Sequence, residues 1–197
     1  MRLSASSVKN WFQYRCERQL RYMGADKVEL AAIPVTVPPL ESKWAQFGHE
    51  FEKRVITELS ATESIYRPYG DGKLTEQETK WFLTADHNFK YAYQASLDPS
   101  LLDATGGSAS SLSLSIGYPD LLRRDATPDG GRKFSLIDIK ATRKAAQFHR
   151  IQVAFYALIL QNLLAQDASA TADEFGEIWR LADDGDAKSY SPEPFKL

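Results

Sequence analysis

Apolar residues recur along this chain with two different periods, and the switches between them mark its elements. Val8, Trp11, Phe12 and Leu20 stand at near-helical spacing. Ser4 is a fitting cap, so a helix is predicted from there to about Met23, with Gly24 as its stop. After the proline-rich stretch IPVTVPPL, a second helix is predicted over about Glu41 to Ser60. Residues 63–69 read as a short strand, TEQETKWFLTADH as a helix and FKYAYQASL as a strand. The segment 103–111, DATGGSASS, reads as a flexible loop or hairpin tip.

Two alternating segments follow, about 112–124 and 133–140, joined by the turn ATPDGGR. A long, largely apolar helix is predicted over about 146–166. EIWRL reads as the last strand and SPEPFKL as a tail. This order predicts an α/β domain with a central mixed sheet flanked by helices. No internal repeat or second domain is visible. Residues 1–197 are read as a single domain, either whole or the front part of a longer protein.

Composition narrows the function classes. The 197 residues suffice for one core, and 43% hydrophobic with 25% charged residues is ordinary for a globular protein. Cys16 is the only cysteine, which excludes a disulfide framework or an iron–sulfur cluster built within this chain. No apolar run approaches the roughly 20 residues of a membrane span, and the N-terminus lacks a signal-peptide core. A cytoplasmic location without membrane partners is therefore expected. The net charge of −2 gives no argument for nucleic acid and its distribution gives a modest one, against the plainer reading of two solvated helix faces. Arg2, Lys9, Arg15, Arg18 and Arg21 cluster near the N-terminus against Glu17, and Lys140, Arg143, Lys144 and Arg150 form a second basic stretch without an acid.

The candidate chemistry lies where acids occupy core positions. On the helix 41–60, Ala45, Gly48, Val55, Ile56 and Leu59 fall within about 60° of Glu52, which places that carboxylate in the apolar stripe. A buried carboxylate needs a basic partner or a metal, and the helix alone leaves both open. His49 borders the same stripe. In KFSLIDIK, Phe134, Leu136, Asp138 and Lys140 share one strand face, opposite to Ser135, Ile137 and Ile139. Asp120 lies about as far before the ATPDGGR turn as Asp138 lies after it, so the two acids are expected side by side at one end of a hairpin. Oxygen ligands of this kind suit magnesium or manganese. Gln152 and Tyr156, at i and i+4 on the apolar helix, share a face and need polar partners.

Taken in order, FGHEFEKRVITEL, GYPDLL, LIDIKAT and QVAFY resemble the motifs of RecB-like nucleases in the PD-(D/E)XK superfamily, a group that includes CRISPR-associated RecB-like nucleases. LSASSVKNWFQYRCERQLRY also resembles the family's N-terminal helix, and YQASL a strand of one stand-alone bacterial branch. The likeness covers most of residues 3–182 and implies a restriction-endonuclease-like core.

The resemblance also implies roles. Glu52, Asp120 and Asp138, with the backbone carbonyl of Ile139, would hold the metal, and His49 would replace Glu52 if the helix starts in another register. Lys140 would be the catalytic lysine. Gln152 and Tyr156 would position the substrate strand, and the basic Arg143 and Lys144 are assigned to substrate with them. The expected activity is magnesium- or manganese-dependent hydrolysis of DNA, on single strands or ends, exonucleolytic before endonucleolytic, in repair or defence, alone or with a helicase partner. The alternative is a binding or recruitment module that keeps the fold without the chemistry. Relatives with an iron–sulfur cluster carry four cysteines; only Cys16 has a counterpart here, so no cluster is expected.

Overall fold

The computed structural model describes residues 2–15, 39–70, 72–99, 113–183 and 188–197. The chain runs β1 (Arg2–Leu3), α1 (Ala5–Tyr14), α2 (Pro39–Ser60), β2 (Ile65–Tyr66), α3 (Glu76–Thr84), β3 (Tyr91–Tyr93) and β4 (Ser113–Leu114). It continues through β5 (Leu121–Ala126), β6 (Arg132–Lys140), α4 (Gln147–Leu164), β7 (Ala170–Ala172), β8 (Phe175–Leu181) and β9 (Tyr190–Lys196). Seven strands form a mixed sheet in the order β2-β3-β5-β6-β8-β9, with β7 pairing β6 ahead of β8. The short parallel pair β1–β4 ties the N-terminus to the segment that leads into β5.

Side-chain alternation in β6 divides the core. Ile137 and Ile139 meet Phe51, Val55, Ile56 and Leu59 of α2 on one face. Phe134 and Leu136 meet Val153, Ile159 and Leu160 of α4 and Phe82 of α3 on the other, where Ala5 of α1 also packs. Each such fully buried side chain contributes roughly 1.5–3 kcal/mol through removal from water. The result is an α/β domain with its sheet covered on both faces.

Local chemistry explains the boundaries. Ser4 caps α1 through the Ser7 amide, and the helix stops at Tyr14 because Arg15 turns left-handed at φ 46°. It is thus shorter than the helix predicted to Met23; residues 16–24 lie outside the described residues, as does the expected loop 103–111. Thr75 and Glu78 form a reciprocal capping box at the start of α3. The apolar stripe of α2 is buried only from Phe51 onward; Ala45 is exposed and Gly48 half-buried, contrary to the uniform stripe read from the sequence. The predicted strand 112–124 is two strands, broken between Leu114 and Leu121.

The C-terminal segment is a further departure. Residues read as a tail form β9, which pairs antiparallel with β8 along its whole length. Pro192 and Pro194 obscured the strand signal, because proline supplies no ladder donor. Ser189 accepts from the Ala182 amide and the Leu197 amide donates to Glu174, so the odd-numbered residues face β8 and both prolines point outward.

Candidate metal and catalytic site

The hairpin β5–β6 positions the acids. Its register pairs Leu121 with Ile137, which sets Asp120 opposite Asp138 at the open end, as the residue count around the turn predicted. Lys140 follows on the same face as Asp138. Glu52 arrives from α2 on the other side of the sheet and lies close enough to Asp120 for the two charges to repel.

Asp138 is the most constrained member. It is 1% exposed, and its Oδ1 accepts from Lys140 Nζ at 2.7 Å. Its Oδ2 is buried and accepts no hydrogen bond among the described residues, while Asp120 stands near enough to accept from it when it is protonated. Burial pushes its pKa up to about 7, with Asp120 adding to the rise and Lys140 opposing it. Burial alone would lower the Lys140 ammonium, but Asp138 and Asp120 outweigh it and hold it above the ordinary lysine value. Asp120 Oδ2 accepts from the Ile139 amide at 2.7 Å and lies 3.5 Å from Lys140 Nζ. The Ile139 carbonyl accepts from the same Nζ at 3.2 Å. Burial and Asp120 also raise Glu52.

Two residues that sequence reasoning did not single out organise this cluster. Tyr93 donates to Glu52 Oε1 at 2.8 Å. Gln94 Nε2 donates to the same oxygen at 3.1 Å and to Asp120 Oδ1 at 3.3 Å. Gln94 holds a left-handed conformation, φ 54°, immediately after β3. Positive φ in a non-glycine residue is uncommon, and here it turns an amide toward two carboxylates. The resemblance of YQASL to a family strand was the one available signal.

Lys9 and His149 were also missed as members of the site. Burial lowers the Lys9 pKa, helped by Lys140 and opposed by Asp138 and Asp120. Burial lowers His149 to about 4, with Lys140 and Lys9 contributing. The other sequence candidates divide. Gln152 Nε2 donates to the Tyr156 hydroxyl at 3.0 Å, so the two partner each other, while Gln152 Oε1 stays buried without a partner. Burial raises the Tyr156 pKa, and Asp138 and Asp120 raise it further, which sets its ring beside the acids. Arg143 and Lys144 are exposed on the bend after β6. His49 is exposed and lines a cleft with Lys53 and Arg67 rather than joining the acids.

No protein-family model, curated protein or solved structure matches this chain.

The donor set fits a small divalent cation in chemistry though not in closed geometry. Among the described residues no three acid, histidine or cysteine side chains already converge as metal ligands. The acids meet pairwise, Glu52 against Asp120 and Asp120 against Asp138, with Lys140 between the last two. All the available ligands are oxygens, which favours magnesium or manganese over softer metals. Asp138 Oδ2 is a buried acceptor in want of a donor or a cation. No helix among the described residues is long and apolar enough to cross a membrane.

Proposed function

We propose that this chain is a magnesium- or manganese-dependent DNA nuclease with a PD-(D/E)XK core of the RecB-like branch. The observation that carries the reading is the buried Asp138, opposite Asp120 and beside Lys140, with one carboxylate oxygen left unpartnered. Lys140 meets only Oδ1, so Oδ2 is left for a cation or, when protonated, for Asp120. Glu52, Asp120, Asp138 and the Ile139 carbonyl would hold the cation, which when bound supplies Lewis acidity toward the phosphodiester.

The remaining work belongs to the chain's own groups. Lys140 keeps its proton, so its ammonium offsets the negative charge that develops on the phosphoryl oxygens as water attacks in line. Gln94 and Tyr93 fix the orientation of Glu52 and Asp120, which limits reorganisation during the reaction. Tyr156, held by Gln152, stands where it can direct the strand against the acids. Single strands or DNA ends are the preferred substrate in this reading, cut exonucleolytically, alone or beside a helicase.

A second reading, a nucleic-acid-binding module without catalysis, is favoured by one feature. Lys140 already satisfies Asp138 Oδ1 and approaches Asp120, so the acids have a counter-cation of their own. Cleavage of an end-labelled oligonucleotide in manganese, magnesium or EDTA separates the two, with Asp138→Asn as control. The nuclease reading expects metal-dependent products that the variant loses. Retained DNA binding without cleavage in either metal would establish the module instead.

A further inference from the structure

Beside the acid cluster, the last turns of α2 and the segment after β2 enclose a cleft of about 380 Å³. His49, Lys53, Arg67 and Tyr93 line it, and no acid does. Tyr93 joins the two places, because the hydroxyl of this cleft wall donates to Glu52 Oε1 at 2.8 Å. The cleft therefore opens within one side chain of the proposed metal acids.

Its cations are arranged for a ligand. Arg67 Nη2 is anchored to the Ile56 carbonyl at 3.2 Å and to Ser60 Oγ. Both bonds use the same nitrogen, which leaves Nε and Nη1 outside these two contacts. A guanidinium fixed at one corner presents its other donors with little entropy left to lose. Lys53, one α2 turn before Thr57, is exposed and lines the same cleft. Tyr69 lies between the cleft residues Pro68 and Gly70 with its side chain fully exposed. An exposed aromatic side chain carried by the rim of a cleft that holds two cations suits a base beside its phosphates.

We infer that this cleft is a backbone-phosphate subsite for the DNA strand on one side of the scissile bond, with Lys53 and Arg67 holding phosphate and Tyr69 stacking a base. The inference rests on the nuclease reading and extends it to binding residues outside the acid cluster. It separates two kinds of contact by their salt dependence. Phosphate contacts release counterions, and for single strands each one steepens the log–log salt slope by roughly 0.7. Stacking releases none.

The test measures binding of a fluorescent oligothymidylate of about 20 nucleotides in EDTA across a salt series, and steady-state cleavage of the same oligomer in manganese. Lys53→Ala and Arg67→Ala are each expected to flatten the slope by roughly 0.7 and weaken binding about fivefold near 0.1 M salt. In cleavage they raise KM and leave kcat near wild type. Tyr69→Ala is expected to weaken binding by about fivefold or more with the slope unchanged. Arg67→Lys, which keeps charge and loses the fork, should restore the slope and only part of the affinity. Wild-type slope and KM in both Lys53→Ala and Arg67→Ala, in a wild-type protein that cuts, would overturn the subsite and leave the nuclease reading standing. A wild-type protein that cuts nothing in either metal would overturn the nuclease reading itself, and the subsite with it.

Discussion

Replacing Asp138 with asparagine should stabilise the metal-free protein while removing the proposed activity. Asparagine reproduces the protonated acid: its oxygen can accept from Lys140, and its amide can donate to Asp120. The rise of the Asp138 pKa from 3.8 to about 7 corresponds to roughly 4 kcal/mol, at about 1.4 kcal/mol per unit. The sign follows from linkage. A carboxyl with a folded pKa above its unfolded value binds more protons folded than unfolded, so ionisation destabilises the fold. The strain is fully present above about pH 7 and is relieved as pH falls toward 3.8. In EDTA near pH 8 the variant is therefore expected to gain up to about 4 kcal/mol, or roughly 8–16 °C in Tm for a chain of this size. The gap should close near pH 4. Saturating manganese should narrow it from the other side, since a cation at 100 times its Kd adds about 2.7 kcal/mol to the wild type alone. Calorimetric or fluorescence melts of both proteins, with and without metal, read all three effects. An asparagine variant no more stable than wild type near pH 8 in EDTA would refute the argument and make Asp138 a structural partner of Lys140.

His149 titrates in the opposite sense: its folded pKa of about 4 lies below its unfolded value of 6.5, so its contribution is complete above about pH 6.5 and fades as pH falls toward 4. The Asp138→Asn background exposes this slope, worth up to about 3 kcal/mol, and His149→Gln should abolish it in pH-dependent urea melts. A Cβ on Gly117 would stand 2.7 Å from Tyr156 Cδ1. Gly117→Ala is thus expected to cost about 1–3 kcal/mol and to depress cleavage by moving that ring, while Gly130→Ala, strained by its φ of 82° but at the turn away from the acids, should lose stability and spare cleavage. Thr75→Ala breaks the capping box of α3 and should cost about 1 kcal/mol in chemical unfolding without changing metal response.

Much of the site was legible because it rests on strand alternation and symmetry about a turn. The period of two put Asp138 and Lys140 on one face, and equal arm lengths put Asp120 across from Asp138. Helical phase brought Glu52 toward the sheet, though burial of its helix begins only at Phe51. Gln94 escaped because its position depends on one positive φ, which an extended pattern does not announce. Lys9 and His149 escaped because only the packing of α1 against α4 brings them to the acids. The last strand escaped because Pro192 and Pro194 resemble a tail until the outward direction of their nitrogens is known.

Those two prolines bear on how copies of this protein meet each other. An edge strand with free amides is a template for another chain, and sheet proteins that leave one long and flat tend to polymerise. Here one edge is β2, only two residues long, and the other is β9, whose outward side lacks a donor at two successive positions. Among the described residues, strand-by-strand growth is therefore disfavoured at both ends of the main strand order, and crowding at high concentration should favour separate molecules over fibres built through these edges.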